Sequence, residues 1–399
     1  MSSYKINNKT LYFVAVNILA FAFVLFYFSD GIGKFLARSG SGFHRYGPII
    51  KGVFELFVLC YSIITLRKSK ALYLLGIGIL IVSFLIGQFF LSISFSELNF
   101  FENLNTLFKY LFPLIFFLLV LDIVKLEKYP AQILKVYKVI IGVNGVLIII
   151  GLVFGSYIIQ TYRGVHRFGY DGLIYAQNEA SFIFIFAVIT VYYRRFYLGI
   201  KEVFFWVVLI PSVFVATKAV YLFLILLFLF HVLKRVPLKK VLLFVVTTAL
   251  AGYFLFTTTI NKIFINSWQV FMYRYERVGL LGALLSGRDT FITRKLEPLV
   301  FDIWSFPNFI FGGQDVVSHY IEMGFFDLFL FFGLFGFTLY LFMFKKMISL
   351  LSFPKDFNFF VFVSLFIIIA TAGHFFESGI AGIHFIFIIL INRKIKTSV

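Results

Sequence analysis

Long uninterrupted apolar runs are the feature that most constrains how this sequence folds. A transmembrane helix needs roughly 20 predominantly apolar residues to cross about 30 Å of hydrocarbon. Because lipid offers the backbone no hydrogen-bond partners, such runs predict α-helices that bond internally. Runs of suitable length occupy residues 11–29, 48–66, 71–93, 104–121, 137–159, 174–193, 241–260, 325–344, 357–373 and 377–392.

A further apolar stretch, residues 202–233, is too long for one span and is interrupted by Pro211 and by Thr217-Lys218. Basic residues flank it on both sides, at Arg194, Arg195, Lys201, Lys234, Arg235, Lys239 and Lys240. Cytoplasmic loops carry an excess of Lys and Arg, so both flanks are predicted to be cytoplasmic. The stretch is therefore predicted to form a hairpin of two short helices, with Lys218 near the outer face. This gives about twelve transmembrane helices and places both termini in the cytoplasm.

Composition points to the same class of protein. Hydrophobic residues make up 61% of the chain, charged residues 14%, and the mean hydropathy is +0.98. A soluble domain carries about a quarter charged residues, so a cytosolic enzyme and a disordered chain are excluded. The single cysteine, Cys60, excludes a disulfide scaffold. Residues 1–399 are predicted to form one all-α polytopic integral membrane domain within the lipid bilayer. The net charge of +18 is attributed to cytoplasmic loops, and no nucleic-acid partner is expected.

Two segments predicted on the outer side carry more positive charge than that side normally does. They are residues 160–177 and residues 261–318, the latter being one large external loop between spans 9 and 10. The guanidinium group is a planar, permanently charged fork that suits phosphate oxygens. The arginines of these segments therefore predict binding of a lipid-linked phosphate or pyrophosphate. For any single arginine a local ion pair, such as Arg288 with Asp289, remains the alternative. The arginines concerned are Arg163, Arg167, Arg274, Arg277 and Arg288.

Ionisable and polar residues in or beside the apolar runs form a second group. Each charge costs roughly 2.5–3.5 kcal/mol at a helix centre, so each requires a partner or a cavity. Lys51 and Glu55, four residues apart, are interpreted as a structural pair. The others gather at one predicted membrane level, which indicates a functional site there: Asn178, Glu179, Glu322, Asp327, His374 and Glu377.

The chemistry expected at this level is general acid–base catalysis. Such catalysis requires a general base, a group that binds the leaving group and a cavity that holds the substrate. The candidate bases are His319, Glu322, Glu179 and Glu377. Neither a metal-ligand motif nor a phosphate-binding glycine loop is found in the sequence, so no metal and no cofactor are expected.

Several stretches match a known family in order and spacing: Arg167–Gly172 followed by Gln177–Glu179, Thr217–Ala219, Leu285–Arg288, and Ser318–Asp327 running into Gly333–Gly336. Together they resemble the O-antigen polymerase and ligase superfamily of bacterial envelope glycosyltransferases. The first resembles an Arg-Gly loop leading into an Asn-containing helix, and the second a turn in which Lys replaces Arg. The third resembles the Ser-Gly-Arg that opens the external loop, and the last the exit of that loop with its Gly-x-x-Gly helix.

The resemblance implies a GT-C-like fold in the bacterial inner membrane and a specific reaction. An oligosaccharide passes from undecaprenyl pyrophosphate to the next lipid-linked repeat unit on the outer face of that membrane. The reaction inverts the anomeric centre and needs neither a metal nor a nucleotide sugar. The implied partners are undecaprenyl-pyrophosphate-linked oligosaccharides, with a chain-length regulator and a flippase as further candidates.

The resemblance also implies roles for individual residues. His319 or Glu322 would accept the proton of the acceptor hydroxyl, and Glu179 with Asn178 would line the site. The pyrophosphate would be bound by Arg288, Arg167, Arg163, Arg274 and Arg277, with Lys218 assisting.

Three alternatives to a polymerase remain open. The spacing from His319 to Gly333 is longer than expected for ligases, which favours the polymerase over an O-antigen ligase. A lipid-linked oligosaccharide flippase would show two similar halves. An anion transporter would carry its ionisable residues near the bilayer midplane rather than at one surface.

Overall fold

The protein is almost entirely helical in the residues described by its computed structural model, namely 7–40, 46–93, 98–124, 131–162, 168–235, 237 and 260–393. Within these ranges no β-strand occurs, and the only bridges are Gln160 with Tyr170 and Leu351 with Arg393. The helices of ten or more residues are α1 (Asn8–Arg38), α2 (Tyr46–Ile64), α3 (Lys68–Phe89), α4 (Phe100–Ile123), α5 (Ala131–Phe154), α6 (Gln177–Phe196), α7 (Phe204–Phe214), α8 (Lys218–Arg235), α9 (Ile260–Leu285), α10 (Gly324–Ile348), α11 (Lys355–Thr371) and α12 (Gly379–Ile391).

Six of these helices are long enough and apolar enough to cross a membrane: α1, α2, α3, α4, α5 and α10. Helices α7 and α12 are apolar but shorter. The fold is therefore compatible with a multi-pass membrane protein, and the all-α class predicted from the sequence is confirmed for the described residues.

The ambiguous stretch of residues 202–233 forms two helices, α7 and α8, as predicted. Their connection includes Ala216, whose φ of 56° lies in the left-handed region. The predicted span at 241–260 falls outside the described residues except for Ile260. That residue begins α9, so the first half of the segment predicted as a loop, residues 261–318, is largely helical.

Helix α12 occupies the centre of the bundle, where it packs between α4 and α6. All of its residues from Gly379 to Ile391 are buried, and α4 is buried along most of its length. Such all-round burial explains why these helices are apolar on every face. Aromatic rings fill the space around α12, as in the stack of Phe23 on Phe387 with ring centroids 4.1 Å apart.

A glycine contact attaches the segment before α10 to the bundle. Gly312 has a φ of 78°, and Gly333 interrupts α10 with a φ of 65°. A Cβ atom on either residue would overlap the backbone of the other. Asn308 Nδ2 donates to the carbonyl of Gly87 over 2.8 Å, which adds α3 to the contact. Only glycine permits this approach, so it fixes where the segment leading into α10 lies.

The two ends of the bundle differ in character. At one end α1, α3 and α5 finish while α2, α4, α6 and α12 begin, and Arg38 bonds the carbonyls of Tyr157 and Gln160 there. We call it the cavity end. At the opposite end, buried Lys70 pairs with Asp122 over 2.6 Å, and Arg393 bonds the carbonyl of Ile123.

Candidate functional site

A cavity of about 1460 Å³ opens at the cavity end. Its walls are the last turns of α1, the first turns of α2, α4 and α6, and the segments before α10 and α12. The charged and titratable side chains that line it are Asp30, Arg38, Lys51, Glu55, Glu102, Lys109, Glu179, Glu322, His374 and Glu377. Five of the six ionisable and polar residues predicted to gather at one membrane level line this cavity.

His374 and Glu377 form a contact on the segment between α11 and α12. His374 Nδ1 lies 2.8 Å from Glu377 Oε1 and 3.0 Å from the hydroxyl of Tyr320. Burial lowers the pKa of His374 to about 4, although the charge of Glu322 acts in the other direction. The imidazole is therefore neutral at neutral pH.

Glu377 has the electrostatic character expected of a proton acceptor. Burial raises the pKa of this carboxyl to about 7, with nearby Lys109 opposing the shift and Glu179 adding to it. A general base works best when its pKa lies near the operating pH. Lys109, which lines the cavity from α4, makes no ion pair within 4 Å in the described part of the chain.

Arg288 and Glu322 form an ion pair beside the cavity. Arg288 Nη2 lies 3.1 Å from Glu322 Oε2, and Nη1 approaches the carbonyl of Thr371 at 3.5 Å. The local partner that the sequence suggested, Asp289, is not the one that Arg288 takes. The pair joins the turn after α9 to the segment before α10.

Two of the four described non-glycine residues with a positive φ line the cavity. Glu322 has a φ of 65° and His374 a φ of 75°, both in the region that residues with side chains seldom adopt. Gly373 permits their approach, because a Cβ atom there would lie 2.6 Å from the carbonyl carbon of Glu322. Such conformations cost about 1–3 kcal/mol each and persist where the surrounding structure enforces them, often at functional sites.

Asp30, Glu55 and Glu179 line the cavity around Lys51, and we call these four residues the floor. Lys51 Nζ lies 2.8 Å from both carboxylate oxygens of Asp30. The sequence-based pairing of Lys51 with Glu55 is therefore wrong, because the lysine takes its ion pair from α1 instead. Ser378 Oγ donates to Glu179 Oε1 over 2.7 Å.

Several predicted site residues come together here. Glu179, Asn178, Glu322, His374 and Glu377 all line the cavity. Arg288 does not line it, but it contacts Glu322, which does.

Two other predicted residues, Asp327 and His319, do not line the cavity. Asp327 is buried, and its carboxylate accepts hydrogen bonds from the backbone N–H groups of Ile321 and Met323 over 2.8 and 2.7 Å. His319 is half-buried and does not line the cavity, and burial lowers its pKa. These contacts give Asp327 a structural role in holding Glu322 in place.

The predicted anion-binding residues of the long loop are dispersed. Arg274 and Arg277 lie on α9 and do not line the cavity, and the guanidinium of Arg277 sits 4.3 Å from the ring centroid of Tyr273. Lys218 Nζ bonds the carbonyl of Ala283 and, over 3.0 Å, the hydroxyl of Ser286. Lys218 therefore positions the turn that carries Arg288. Arg163 and Arg167 lie outside the described residues.

Sequence reasoning missed several residues that line the cavity: Asp30, Arg38, Glu102, Asn105 and Lys109. Asp30 and Lys109 carried a usable signal, since each is an ionisable residue inside or beside an apolar run. Arg38 and Asn105 carried no such signal in the sequence, because only the packing of α1 and α4 brings them to the cavity.

The cavity offers acid–base groups and hydrogen-bonding side chains rather than a metal site. Among the described residues no three His, Cys, Asp or Glu side chains are grouped so as to hold a metal ion. Carboxylates accept hydrogen bonds from hydroxyl groups, and the amides of Asn105, Gln177 and Asn178 both donate and accept. Such a lining suits a ligand rich in hydroxyl groups.

Comparison of the whole chain with protein-family models, with curated proteins and with solved structures gave no match in any of the three.

Proposed function

We propose that this protein is a membrane glycosyltransferase that polymerises lipid-linked oligosaccharide repeat units, as an O-antigen polymerase does. The donor is an oligosaccharide on undecaprenyl pyrophosphate, and the acceptor is the terminal sugar of the next lipid-linked repeat unit. The proposal includes about twelve transmembrane helices and a GT-C-like arrangement. It rests on the motif resemblance together with the cavity.

The observation that carries the proposal is the cavity of about 1460 Å³, lined by many ionisable side chains, at one end of an apolar bundle. Ligand sites for small molecules span about 300–1,000 Å³, so this space suits several sugar rings. Its position at the helix ends suits a substrate whose lipid remains in the bilayer while its sugars project from the surface.

The proposed chemistry is a single displacement. The acceptor hydroxyl transfers its proton to Glu377, and its oxygen forms the new bond to the anomeric carbon of the donor. The bond from that carbon to the pyrophosphate breaks, and its electron pair leaves with undecaprenyl pyrophosphate. Lys109 and Arg288 stabilise the negative charge that develops on the leaving group. Glu377 replaces His319, Glu322 and Glu179 as the preferred base, because its pKa of about 7 is matched to this task.

The proposed orientation places the cavity end at the outer face of the bacterial inner membrane, with both termini in the cytoplasm. Charge distribution supports it, because basic residues cluster at the opposite end. They include Arg67, Lys68, Lys70, Lys138, Arg194, Arg195, Lys234, Arg235, Lys345 and Lys346. The termini themselves, residues 1–6 and 394–399, lie outside the described residues.

Deletion of the gene in the source bacterium tests the proposal, with surface polysaccharide separated by size on a gel. The expected result is a core that carries one repeat unit and no ladder of longer chains. Loss of all repeat units, with long chains accumulating on undecaprenyl pyrophosphate, would indicate a ligase. An unaltered ladder in the deletion strain would overturn the proposal.

A further inference from the structure

The cavity has the opposite charge balance to the rest of the chain. The protein has 36 Lys and Arg residues and 18 Asp and Glu residues. The cavity is lined by six carboxylates, Asp30, Glu55, Glu102, Glu179, Glu322 and Glu377, and by three cations, Arg38, Lys51 and Lys109. A third of all the acidic residues thus surround one space, which favours a ligand with positive charge over one that is only anionic.

Contacts within the protein account for some of these charges. Asp30 is paired with Lys51, and Glu322 is paired with Arg288. Arg38 donates to backbone carbonyls. Lys51 is the cation of the floor, and its ion pair is with Asp30. The other two floor carboxylates, Glu55 and Glu179, make no ion pair within 4 Å among the described residues.

Glu55 is the most unusual of the floor residues. It lies nine residues into α2 from Tyr46, about 13 Å along the helix at 1.5 Å per residue. It is only 3% exposed, yet it lines the cavity, and its Oε2 atom has no hydrogen-bond partner among the described residues. A buried carboxyl without a partner favours its neutral form, because an unpaired charge is costly there. A cationic group entering the cavity would offset that cost and favour the ionised form, so the cation and the carboxylate would form a strong pair.

The grouping of side chains among the described residues favours an organic cation over a metal ion at the floor. No cluster of three His, Cys, Asp or Glu side chains close enough to bind a metal occurs in the described parts of the chain. An amino sugar is larger than a metal ion, so its ammonium group can pair with a carboxylate while its ring hydroxyl groups bond to other side chains. Ser378 and Gln177 line the cavity close to Glu179 in the fold and supply hydroxyl and amide groups of that kind.

We infer that the floor is a binding subsite for the protonated amino group of an amino sugar, with Glu55 and Glu179 as its carboxylate contacts. This names the substrate class of the proposed polymerase and rests on that proposal, since the amino sugar would belong to the repeat unit. The anionic pyrophosphate lies nearer Lys109 and Arg288, and the cationic sugar lies at the floor.

The test is a binding measurement on the purified full-length protein in lipid nanodiscs at neutral pH. The probes are a tetrasaccharide of β-1,4-linked glucosamine and the same tetrasaccharide with every amine N-acetylated. Acetylation removes the charge and leaves the sugar rings, so the inference predicts at least about tenfold weaker binding of the acetylated probe. Equal binding of the two probes, or no binding of the amine form, would overturn it.

Variants locate the interaction. Glu55→Gln keeps the side-chain shape and cannot ionise when the amine enters, so the preference for the amine probe should fall to about twofold or less. Glu276→Gln is the matched control, because Glu276 is exposed on α9 and does not line the cavity. Retention of the full preference in Glu55→Gln would contradict the assignment. If sodium displaced the probe as effectively as glucosamine does, the floor would bind an inorganic cation and the amino-sugar inference would be overturned.

Failure of this inference and failure of the proposed function are distinguishable. An amine preference with an unaltered polysaccharide ladder in the deletion strain would retain the subsite and remove the polymerase. A lost ladder without amine preference would retain the polymerase and remove the subsite.

Discussion

At the scale of single residues, the surroundings of Glu377 determine how readily its carboxylate accepts a proton. This carboxyl faces a neutral imidazole, His374, and lies near the positive charge of Lys109 and the carboxylate of Glu179. Burial is the largest of the influences on it, so its proton affinity depends on the packing of the segment before α12. A sequence shows that the residue is ionisable but cannot show how far it is buried.

The pH dependence of transfer should follow the ionisation of Glu377. With a pKa of about 7, Glu377 is protonated below neutral pH and cannot accept a proton there, so the rate should fall as pH falls through 7. His374, with a pKa of about 4, stays neutral across that range. Initial rates of chain elongation by the purified enzyme would measure this profile, and a rate that rises towards acidic pH would contradict it.

Removal of the Glu377 carboxylate should abolish most of the activity. Glu377→Gln retains the size of the side chain and cannot accept the proton, so a loss of about 10²–10⁴-fold in the elongation rate is expected. Glu297→Gln, at an exposed position outside the cavity, is the control and should elongate at the normal rate. A Glu377→Gln enzyme with an unchanged rate would exclude this residue as the base.

The two arginines Arg288 and Arg277 should differ in effect, although the sequence treats them alike. Arg288→Ala removes the partner of Glu322 beside the cavity, so complementation of a deletion strain should give no polysaccharide ladder. Arg277→Ala removes only a contact with the exposed ring of Tyr273, so the ladder should be normal. Equal ladders from the two variants would show that Arg288 has no special role.

At the scale of secondary structure, the helices could be predicted from the sequence, whereas the contacts between helices that form the site could not. The helices were predictable because apolar runs of suitable length recur, and the division of residues 202–233 into α7 and α8 followed from flanking charges. The helical character of α9 was not predicted, since charged and polar residues interrupt its apolar residues and it lacks the long apolar run used for the other helices. The pairing of Lys51 with Asp30 joins two helices, and no spacing within one helix reveals it.

The glycine contact between Gly312 and Gly333 should be essential for stability. Gly312→Ala adds a Cβ atom at a φ of 78° and against the backbone of Gly333. The backbone strain and the overpacking should each lower the free energy of unfolding by about 1–3 kcal/mol. A lower Tm of the purified protein in detergent is expected. Gly78→Ala on α3 meets no atom within 4 Å and should leave the Tm unchanged or slightly higher. An unchanged Tm in Gly312→Ala would contradict the role of the contact.

For the whole molecule, the arrangement of charge is the main organising feature. Positive charge lies mainly at the opposite end of the bundle, whereas the cavity end collects carboxylates around one space. The first part of this pattern was predictable, because the positive-inside rule is read from loops in sequence order. The second part was not, because the cavity takes residues from α1, α2, α4, α6 and the segments before α10 and α12. Spacing within one segment does not show such an assembly.

The orientation can be measured by cysteine labelling of spheroplasts. In a Cys60→Ser background, a membrane-impermeant maleimide should label the Glu297→Cys variant, whose site neighbours Lys295 and its bond to Tyr320 at the cavity end. The Lys346→Cys variant, at an exposed position of the opposite end, should be labelled only after the membrane is permeabilised. Labelling of Lys346→Cys in intact spheroplasts would reverse the proposed orientation.

The central claim, polymerisation of lipid-linked repeat units at this cavity, is tested most directly by reconstitution. The purified full-length protein in proteoliposomes would receive undecaprenyl-pyrophosphate-linked repeat units from the source bacterium, with a chelator and without nucleotide sugars. Mass spectrometry of the products should show chains of two and more repeat units, with one undecaprenyl pyrophosphate released for each bond formed. Absence of longer chains with the wild-type protein, or equal chain growth with Glu377→Gln, would contradict the account.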